Sequence, residues 1–294
     1  MLPQLRGVNK YVRVHLKKTS RRWDSNVTSG KSGGGPDKAF VKGLGIGVGA
    51  GVLGSLAGLG GGFVMIPLMT SRLLRLSQHQ AHGSSLFAIT STGIAGALSY
   101  SGHVDYEAAA AIACTGIVTA RFGVRAMSAM PEKMLKKSLG MLMIGVAPLV
   151  PAKSYFAEAA GSKETVGGEK GDEKNMAERL YAPALIGCFS GFASGLFGVG
   201  GGAIVVPALT VFTDMDHYAA LGTSLCAMVL PAMSGTYANF QKGFVCMRTA
   251  PGLAVGAFIG AYMGGRLGLS IDETKLRWGF SALMLGLGTR TLLV

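Results

Sequence analysis

The sequence predicts an all-α membrane protein of eight helical segments in two homologous halves, with the first segment of each half broken at a Gly-Gly-Gly run. Of the 294 residues, 49% are hydrophobic and only 15% are charged, whereas soluble domains carry roughly 25% charged residues. Several uncharged stretches exceed the roughly 20 apolar residues that span a bilayer. A glycine motif also returns once, at the corresponding place in the second half.

The two copies of this motif span Gly58–Pro67 and Gly198–Pro207. Each copy lies within an uncharged stretch, Gly43–Ser71 or Tyr181–Thr213. Successive glycines cost about 1 kcal/mol each in a helix relative to alanine, so we expect the helix to break there. At membrane depth, broken helices are buried in protein or line a polar cavity, and transporters aim the resulting half-helix ends at substrate. The alternative is that the glycines only allow helices to pack closely.

The predicted organisation has four parts. Residues 1–42 form a basic tail or targeting segment, 43–152 the first membrane repeat, 153–180 a polar linker and 181–294 the second repeat. The predicted segments are Gly43–Ser71, Leu76–Val104, 107–129 and 134–152 in the first half, and 181–213, 217–241, 248–269 and 273–293 in the second.

The net charge of +13 is concentrated in the tail, which holds ten Lys or Arg and two Asp. A basic tail beside a membrane body indicates contact with anionic lipid or targeting, and no nucleic-acid-binding motif accompanies it. Its composition fits a mitochondrial or plastid presequence, and equally a disordered tail on the positive side of a membrane. The expected location is therefore a mitochondrial or plastid inner membrane, otherwise the plasma membrane.

The internal repeat extends beyond the glycines. Three further blocks recur in the same order: Gly83–Leu86 with Gly222–Leu225, Gly123–Arg125 with Gly264–Arg266, and Glu132–Lys136 with Glu273–Arg277. Gene duplication is the simplest account of this order. Duplicated halves with paired helix breaks are typical of transporters.

These blocks and the doubled glycine motif resemble the TauE/SafE sulfite exporter or anion permease family, over about 43–152 and 181–294. Gly102–Tyr106 is similar to the short polar turn of that family, although the matching Gly243–Cys246 has no counterpart of Asp105. The resemblance implies a transporter of sulfite, sulfonates or related organic anions. The alternatives are a membrane scaffold of the same fold that does not transport and an intramembrane enzyme, for which we find no catalytic motif.

Helix starts present free N–H groups and positive dipole ends, which favour anions. We therefore predict a small anionic substrate held where half-helix ends meet, without a metal or cofactor. The hydroxyl groups that follow each break belong to this candidate site, although helix capping would also explain them. The candidate residues are Gly60, Gly61, Gly62, Ser84, Ser85, Gly200, Gly201, Gly202, Thr223 and Ser224.

Arg125 and Arg266 complete the set of candidate substrate-binding residues, because a guanidinium fork suits oxyanions. The alternative is that each anchors a helix end, with Glu132 or Glu273 as its ion-pair partner. Basic residues at 121–137 and 266–277 favour one shared side of the membrane and parallel repeats, but the basic tail weakens this argument. The orientation and the oligomeric state stay open at this stage.

Histidines and cysteines add little to the candidate site. His79 and His217 precede the second segment of each half and are expected to be loop residues, with a proton-coupling role as the alternative. No Asp or Glu lies in the middle of a predicted segment. The four cysteines are expected to be small buried hydrophobic residues.

Overall fold

A computed structural model describes residues 36–148, 176–213 and 215–293, and the ordered elements in these ranges are all helical. Most of the predicted basic tail and most of the predicted linker lie outside the described residues. The first and sixth helices begin earlier than predicted, at Pro36 within the predicted tail and at Met176 within the predicted linker. The first half contains α1 (Pro36–Leu56), α2 (Gly62–Thr70), α3 (Gln78–Ser99), α4 (Tyr106–Ala129) and α5 (Glu132–Val146). The second half contains α6 (Met176–Phe197), α7 (Gly202–Phe212), α8 (His217–Ala227), α9 (Val229–Gln241), α10 (Ala250–Gly268) and α11 (Glu273–Leu293).

The prediction of an all-helical protein is confirmed for the described residues. Three stretches are long and apolar enough by themselves to cross a membrane: Lys38–Leu56, Tyr106–Ala129 and Tyr218–Gln241. The last was predicted as one helix and is divided at Met228 into α8 and α9. Pro231 explains the division, because its ring clashes with the preceding turn and it has no N–H to donate.

Each glycine run connects two helices that form a hairpin. Between α1 and α2, Gly58, Gly60 and Gly61 all have φ between 68° and 78°. A methyl group on Gly61 would collide with the carbonyl oxygen of Ala50, so the start of α2 lies directly against the body of α1. The chain then returns toward the beginning of α1, where Lys42 Nζ donates to Leu73 O at 3.2 Å.

The second hairpin has the same backbone geometry. Gly198, Gly200 and Gly201 have φ of 67°, 90° and 74°. A methyl group on Gly201 would lie 2.7 Å from Ser190 O, which places the start of α7 against the body of α6. L-residues other than glycine rarely adopt positive φ, which is why each connection can be this short.

The first helix of each half packs against a long helix of the other half: α1 packs against α10, and α6 packs against α4. Along α1 and α10, Gly43 faces Thr249 and Gly51 faces Ala257, with methyl-to-carbonyl distances of 2.7 and 2.5 Å if a side chain were added. Along α4 and α6, a methyl group on Gly187 would lie 2.5 Å from Ile112 O, and one on Gly195 would collide with Ala120 O. Contacts advance in the same direction along both chains, so both pairs are parallel. Glycine permits this close approach of the backbones.

The last helices of the two halves, α5 and α11, also pack together, but in opposite directions. Ser281 Oγ, early in α11, donates to Ala147 O just after α5 at 2.7 Å. Gly140, earlier in α5, faces Leu292 near the end of α11. The two helices are therefore antiparallel.

The basic segments at the ends of α4 and α10 lie at opposite ends of α3. Near the end of α4, Met127 O lies 3.2 Å from the ring of His79, at the start of α3. On α10, Tyr262 O accepts from Ser99 Oγ, at the end of α3, at 3.1 Å. The two basic segments therefore do not share one end of α3, although their charge pattern, which left the orientation open, favoured one shared side.

The cysteine prediction is also wrong for the described structure. Cys114 is exposed, and Cys188, Cys226 and Cys246 are partly exposed. In a helix that faces lipid, an outward position needs only an apolar side chain, so hydrophobicity alone did not indicate burial inside the protein.

Candidate functional site

The two glycine breaks meet in the interior of the protein. A methyl group on Gly62 would lie 2.6 Å from Val199 Cα and 2.7 Å from Gly198 O. Reciprocally, a methyl group on Gly202 would collide with Gly58 O and lie 2.8 Å from Leu59 Cα. The backbones of the two breaks are therefore in direct contact.

Two apolar side chains cover this contact. Ile89, in the middle of α3, and Met228, between α8 and α9, both lie against Gly60 and Gly200. All six glycines of the candidate site are buried. Neither break lies on the outer surface that would face lipid.

Half-helices begin at both breaks, and their first turns have no side-chain caps. The N-cap residues Gly61 and Gly201 are left-handed and offer no side-chain hydrogen bond. The first amides of a helix lack partners within the helix, and they carry the positive end of its dipole. Neither α2 nor α7 has an acidic residue in its first turn or a basic residue in its last turn. The positive potential at the breaks therefore comes from the backbone and not from charged side chains.

Two of the predicted hydroxyl groups bind the breaks directly, each across the two halves. Ser85 Oγ lies 2.6 Å from Gly198 O and 2.8 Å from His82 O, and its single proton is shared between them. Ser224 Oγ donates to Gly58 O at 2.9 Å. Each serine on a second helix therefore holds the break of the opposite half.

The other two hydroxyls bind loops of the opposite half. Ser84 Oγ accepts from Cys246 N, and Thr223 Oγ1 accepts from Asp105 N, both at 2.9 Å. All four hydroxyl side chains are completely buried. They do not cap their helices, because Ser77 caps α3 and Asp216 caps α8. The capping interpretation of these residues is therefore wrong, since each helix begins before the hydroxyl pair.

The two arginines lie apart from the breaks. Arg125 and Arg266 are exposed, and each guanidinium lies over an aromatic ring of its own helix. The distances are 5.6 Å to the centroid of Phe122 and 4.9 Å to that of Tyr262. Of the two suggested acidic partners, Glu132 instead lies 3.4 Å from His79, and the side chain of Glu273 lies outside the described structure.

A cluster of polar side chains joins the start of α3 to the end of α4. His79 lies against Met127 O, Glu132 and the ring of Phe244. Lys242, just beyond α9, donates to Val124 O and to Ser128 Oγ. Burial, followed by the charge of Arg125, lowers the pKa of Lys242. This cluster fastens helix ends together, and the side chain of His217 lies outside the described structure.

His82 is a buried residue beside the second break that sequence reasoning did not select. Its Nδ1 lies 3.3 Å from Leu196 O and its Nε2 lies 3.1 Å from Gln78 Nε2. A methyl group on Gly198 would lie 2.9 Å from His82 Cα. One feature of the sequence could have indicated His82: it directly precedes the Gly83–Leu86 block, whereas Leu221 occupies the corresponding position in the other half.

The described residues contain no group of three or more His, Cys, Asp or Glu side chains that could hold a metal ion. The arrangement is instead a buried meeting point of two helix breaks within a bundle of apolar helices. Such an arrangement is characteristic of membrane transport proteins.

Comparison with known proteins agrees with this class. Residues 43–291 match the family described as sulfite exporter TauE/SafE, and the chain belongs to that family. It is therefore an integral membrane protein of a membrane transporter family. Among solved structures, none matches this chain.

Several curated relatives are similar over most of their length. The probable membrane transporter protein YunE of Bacillus subtilis is 28% identical over 80% of this chain and 89% of its own length. The probable membrane transporter protein MJ0441 of Methanocaldococcus jannaschii is 25% identical over 80% and 88%. A probable membrane transporter protein of Xylella fastidiosa is 28% identical over 76% and 82%. These names indicate a transporter rather than an enzyme.

Proposed function

We propose that this protein is a secondary transporter of small anions, in which the two glycine breaks form the substrate site. The observation that carries the proposal is that two uncapped half-helix starts meet at buried, left-handed glycines. An anion at this point would accept hydrogen bonds from backbone amides and interact favourably with both helix dipoles. The description of the matching family names sulfite. We extend the proposed substrate class to sulfonates and related organic anions.

The proposal includes eight segments in two halves of opposite orientation. α1 with α2, and α6 with α7, each count as one segment that enters the protein and doubles back. Support comes from the parallel contacts of α1 with α10 and of α4 with α6, together with the antiparallel contact of α5 with α11. A half-turn about an axis in the membrane plane exchanges the partners of all three pairs. Inverted repeats of this kind place substrate at the interface between the halves.

In this site the residues have different roles. Gly60, Gly61 and Gly62, with Gly200, Gly201 and Gly202, provide backbone that substrate can approach closely. Ser84, Ser85, Thr223 and Ser224 hold the breaks and neighbouring loops in register across the halves, as their buried hydrogen bonds support. The exposed positions of Arg125 and Arg266 over aromatic rings support anchoring of helix ends at the membrane surface.

Flux into liposomes tests this function. The purified protein would be reconstituted and offered sulfite, sulfate, thiosulfate, sulfoacetate and simple carboxylates, separately and in competition. We expect saturable flux of at least one sulfur oxyanion or sulfonate, with weaker competition from the carboxylates. Absence of flux for every anion would favour the scaffold of the same fold, and hydrolysis without flux would favour an enzyme.

A pair of variants connects the flux to the proposed site. Gly61→Leu places a bulky side chain at the break, where φ is 78° and the carbonyl of Ala50 lies in contact. Gly49→Leu is the matched control, because Gly49 is an exposed position of α1 with no atom within 4 Å of an added methyl group. We expect the first variant to abolish flux and the second to retain it. Equal flux in both would place the substrate elsewhere.

A further inference from the structure

His82 is unusual among the side chains that the structure describes. It is the single Asp, Glu, Lys, Arg or His among them that is buried, and its exposed fraction is 0%. Titratable residues inside membrane proteins are costly to bury and usually serve function. Its position on the first turns of α3 places it beside the second break rather than at the membrane surface.

The hydrogen bonds of His82 identify its tautomer. Leu196 O can only accept, so Nδ1 of the ring carries the proton and donates to it over 3.3 Å. In the neutral ring Nε2 is then an acceptor, and the side-chain amide of Gln78 donates to it over 3.1 Å. Leu196 belongs to the last turn of α6, where carbonyl groups lack partners within the helix. His82 thus binds the helix end that leads into the break.

The two halves differ at this position. In the second half the corresponding residue is Leu221, which contacts Gly58 of the first break through its Cδ2 and Cα atoms. His82 has the equivalent contact with Gly198 of the second break. The packing of the two breaks is therefore alike, but only one of them has an ionisable neighbour in this position.

Other titratable groups around His82 are less buried, and the buried phenol of Tyr100 lies at the opposite end of α3, where it donates to Ser55 O. α2 has none in its sequence, and α6 approaches His82 through the backbone of Leu196 and Gly198. His79 is one turn earlier on α3 and partly buried. The remaining neighbouring elements present charged or phenolic groups that are exposed or partly exposed: Lys42 of α1, Glu132 of α5, Tyr218 of α8, Lys242 after α9 and Arg266 of α10.

We infer that His82 is the proton-binding residue of this transporter, and that gain and loss of its proton shifts the backbone of the second break. This inference rests on the proposed function. A proton from water binds the lone pair of Nε2 and leaves it again on the other side of the membrane, so no other reactant is consumed. The transported anion and one proton then move together.

The chemistry of the ring supplies the coupling. Protonation turns Nε2 from an acceptor into a donor, so the amide of Gln78 must rotate to present its oxygen. The new positive charge is buried, which is unfavourable unless an anion lies close by. A bound anion therefore favours protonation of His82, and by reciprocity protonation favours binding of the anion. Carbonyls at the end of α6 also stabilise the imidazolium.

The first experiment measures how strongly the anion accumulates inside liposomes when a proton gradient is imposed across their membrane. Liposomes containing the protein, with the membrane potential clamped by potassium and valinomycin, would be given an inward gradient of one pH unit. If one proton accompanies each anion, the accumulation ratio of the anion rises about tenfold per pH unit. We expect this in the natural protein and in the control His79→Asn, and no accumulation in His82→Asn.

His82→Asn is chosen because its side-chain amide can still donate to Leu196 O but does not titrate. The accumulation ratio is an equilibrium quantity, so a variant that merely transports slowly still reaches the same ratio. Full accumulation by His82→Asn overturns the inference. A natural protein that transports anions without any effect of the pH gradient also overturns it, while leaving the proposed function in place.

A second measurement does not depend on transport. Hydrogen exchange of the segment 196–205 would be compared at pH 5 and pH 7.5 with each anion of the flux panel present in turn, because a nearby anion favours the protonated ring. The rates would be corrected for the intrinsic effect of pH on exchange. A change in protection in the natural protein that is absent from His82→Asn supports the inference, even if no flux is observed. The same change in both proteins, or none in either, overturns it.

Discussion

Replacing Gly62 by alanine tests whether contact between the two breaks is required for transport. This glycine is not among those with positive φ, so the substitution introduces no left-handed strain. Its new methyl group would lie 2.6 Å from Val199 Cα and 2.7 Å from Gly198 O, both backbone atoms of the opposite break. Non-bonded carbon atoms prefer about 3.5–4.0 Å, so the breaks must separate by about 1 Å.

The energetic consequence follows from overpacking. Extra methyl groups in a well-packed interior destabilise by about 1–3 kcal/mol, and here the obstructing atoms are backbone rather than flexible side chains. We therefore expect Gly62→Ala to insert into the membrane and fold, but with reduced thermal stability. We also expect this variant to lose most or all of its flux. A displacement of about 1 Å is enough to disturb the amides that define a binding geometry.

The assay combines monodispersity in detergent, the thermal unfolding midpoint and liposome flux at matched protein amounts. Gly49→Ala is the control, since an added methyl group at Gly49 has no atom within 4 Å and alanine is the better helix former. Flux of Gly62→Ala equal to that of the natural protein, with unchanged stability, would refute the reasoning. It would show that the two breaks can separate without affecting function.

Two further predictions use the same flux assay, and a third uses the thermal unfolding midpoint. Gly201→Leu should abolish flux as Gly61→Leu does, because the two residues share left-handed φ and a position at a half-helix start; unequal effects would contradict equivalent breaks. Arg125→Lys and Arg266→Lys should be nearly silent, because lysine can also anchor a helix end; a tenfold rise in the apparent substrate constant, about 1.4 kcal/mol, would instead place recognition on the guanidinium groups. Ser224→Ala should lower stability by about 1–3 kcal/mol, because it leaves the buried carbonyl of Gly58 without this donor; an unchanged unfolding midpoint would argue against that bond.

The helical class could be predicted from composition and from the length of the uncharged stretches, because a bilayer requires segments of that kind whatever their packing. The glycine runs Gly60–Gly62 and Gly200–Gly202 also stood out in the sequence, since consecutive glycines disfavour helix by a purely local effect. Membership of a transporter family followed from the order of repeated short blocks. The first two inferences depend on solvent and on neighbouring residues, the third depends on the order of blocks along the chain, and none of the three requires knowledge of long-range contacts.

Other features depended on contacts between distant residues. The direction of each chain after its break, the partners of Ser85 and Ser224, and the burial of His82 are set by how the two halves interlock. Charge counting favoured one shared side for the ends of α4 and α10 but left the orientation open, whereas packing places them at opposite ends of α3. Local sequence determines where a helix ends, but the surfaces available for burial decide where the chain goes next. For this protein, the sequence alone therefore indicated the class and the break points, and the tertiary structure decided which groups meet there.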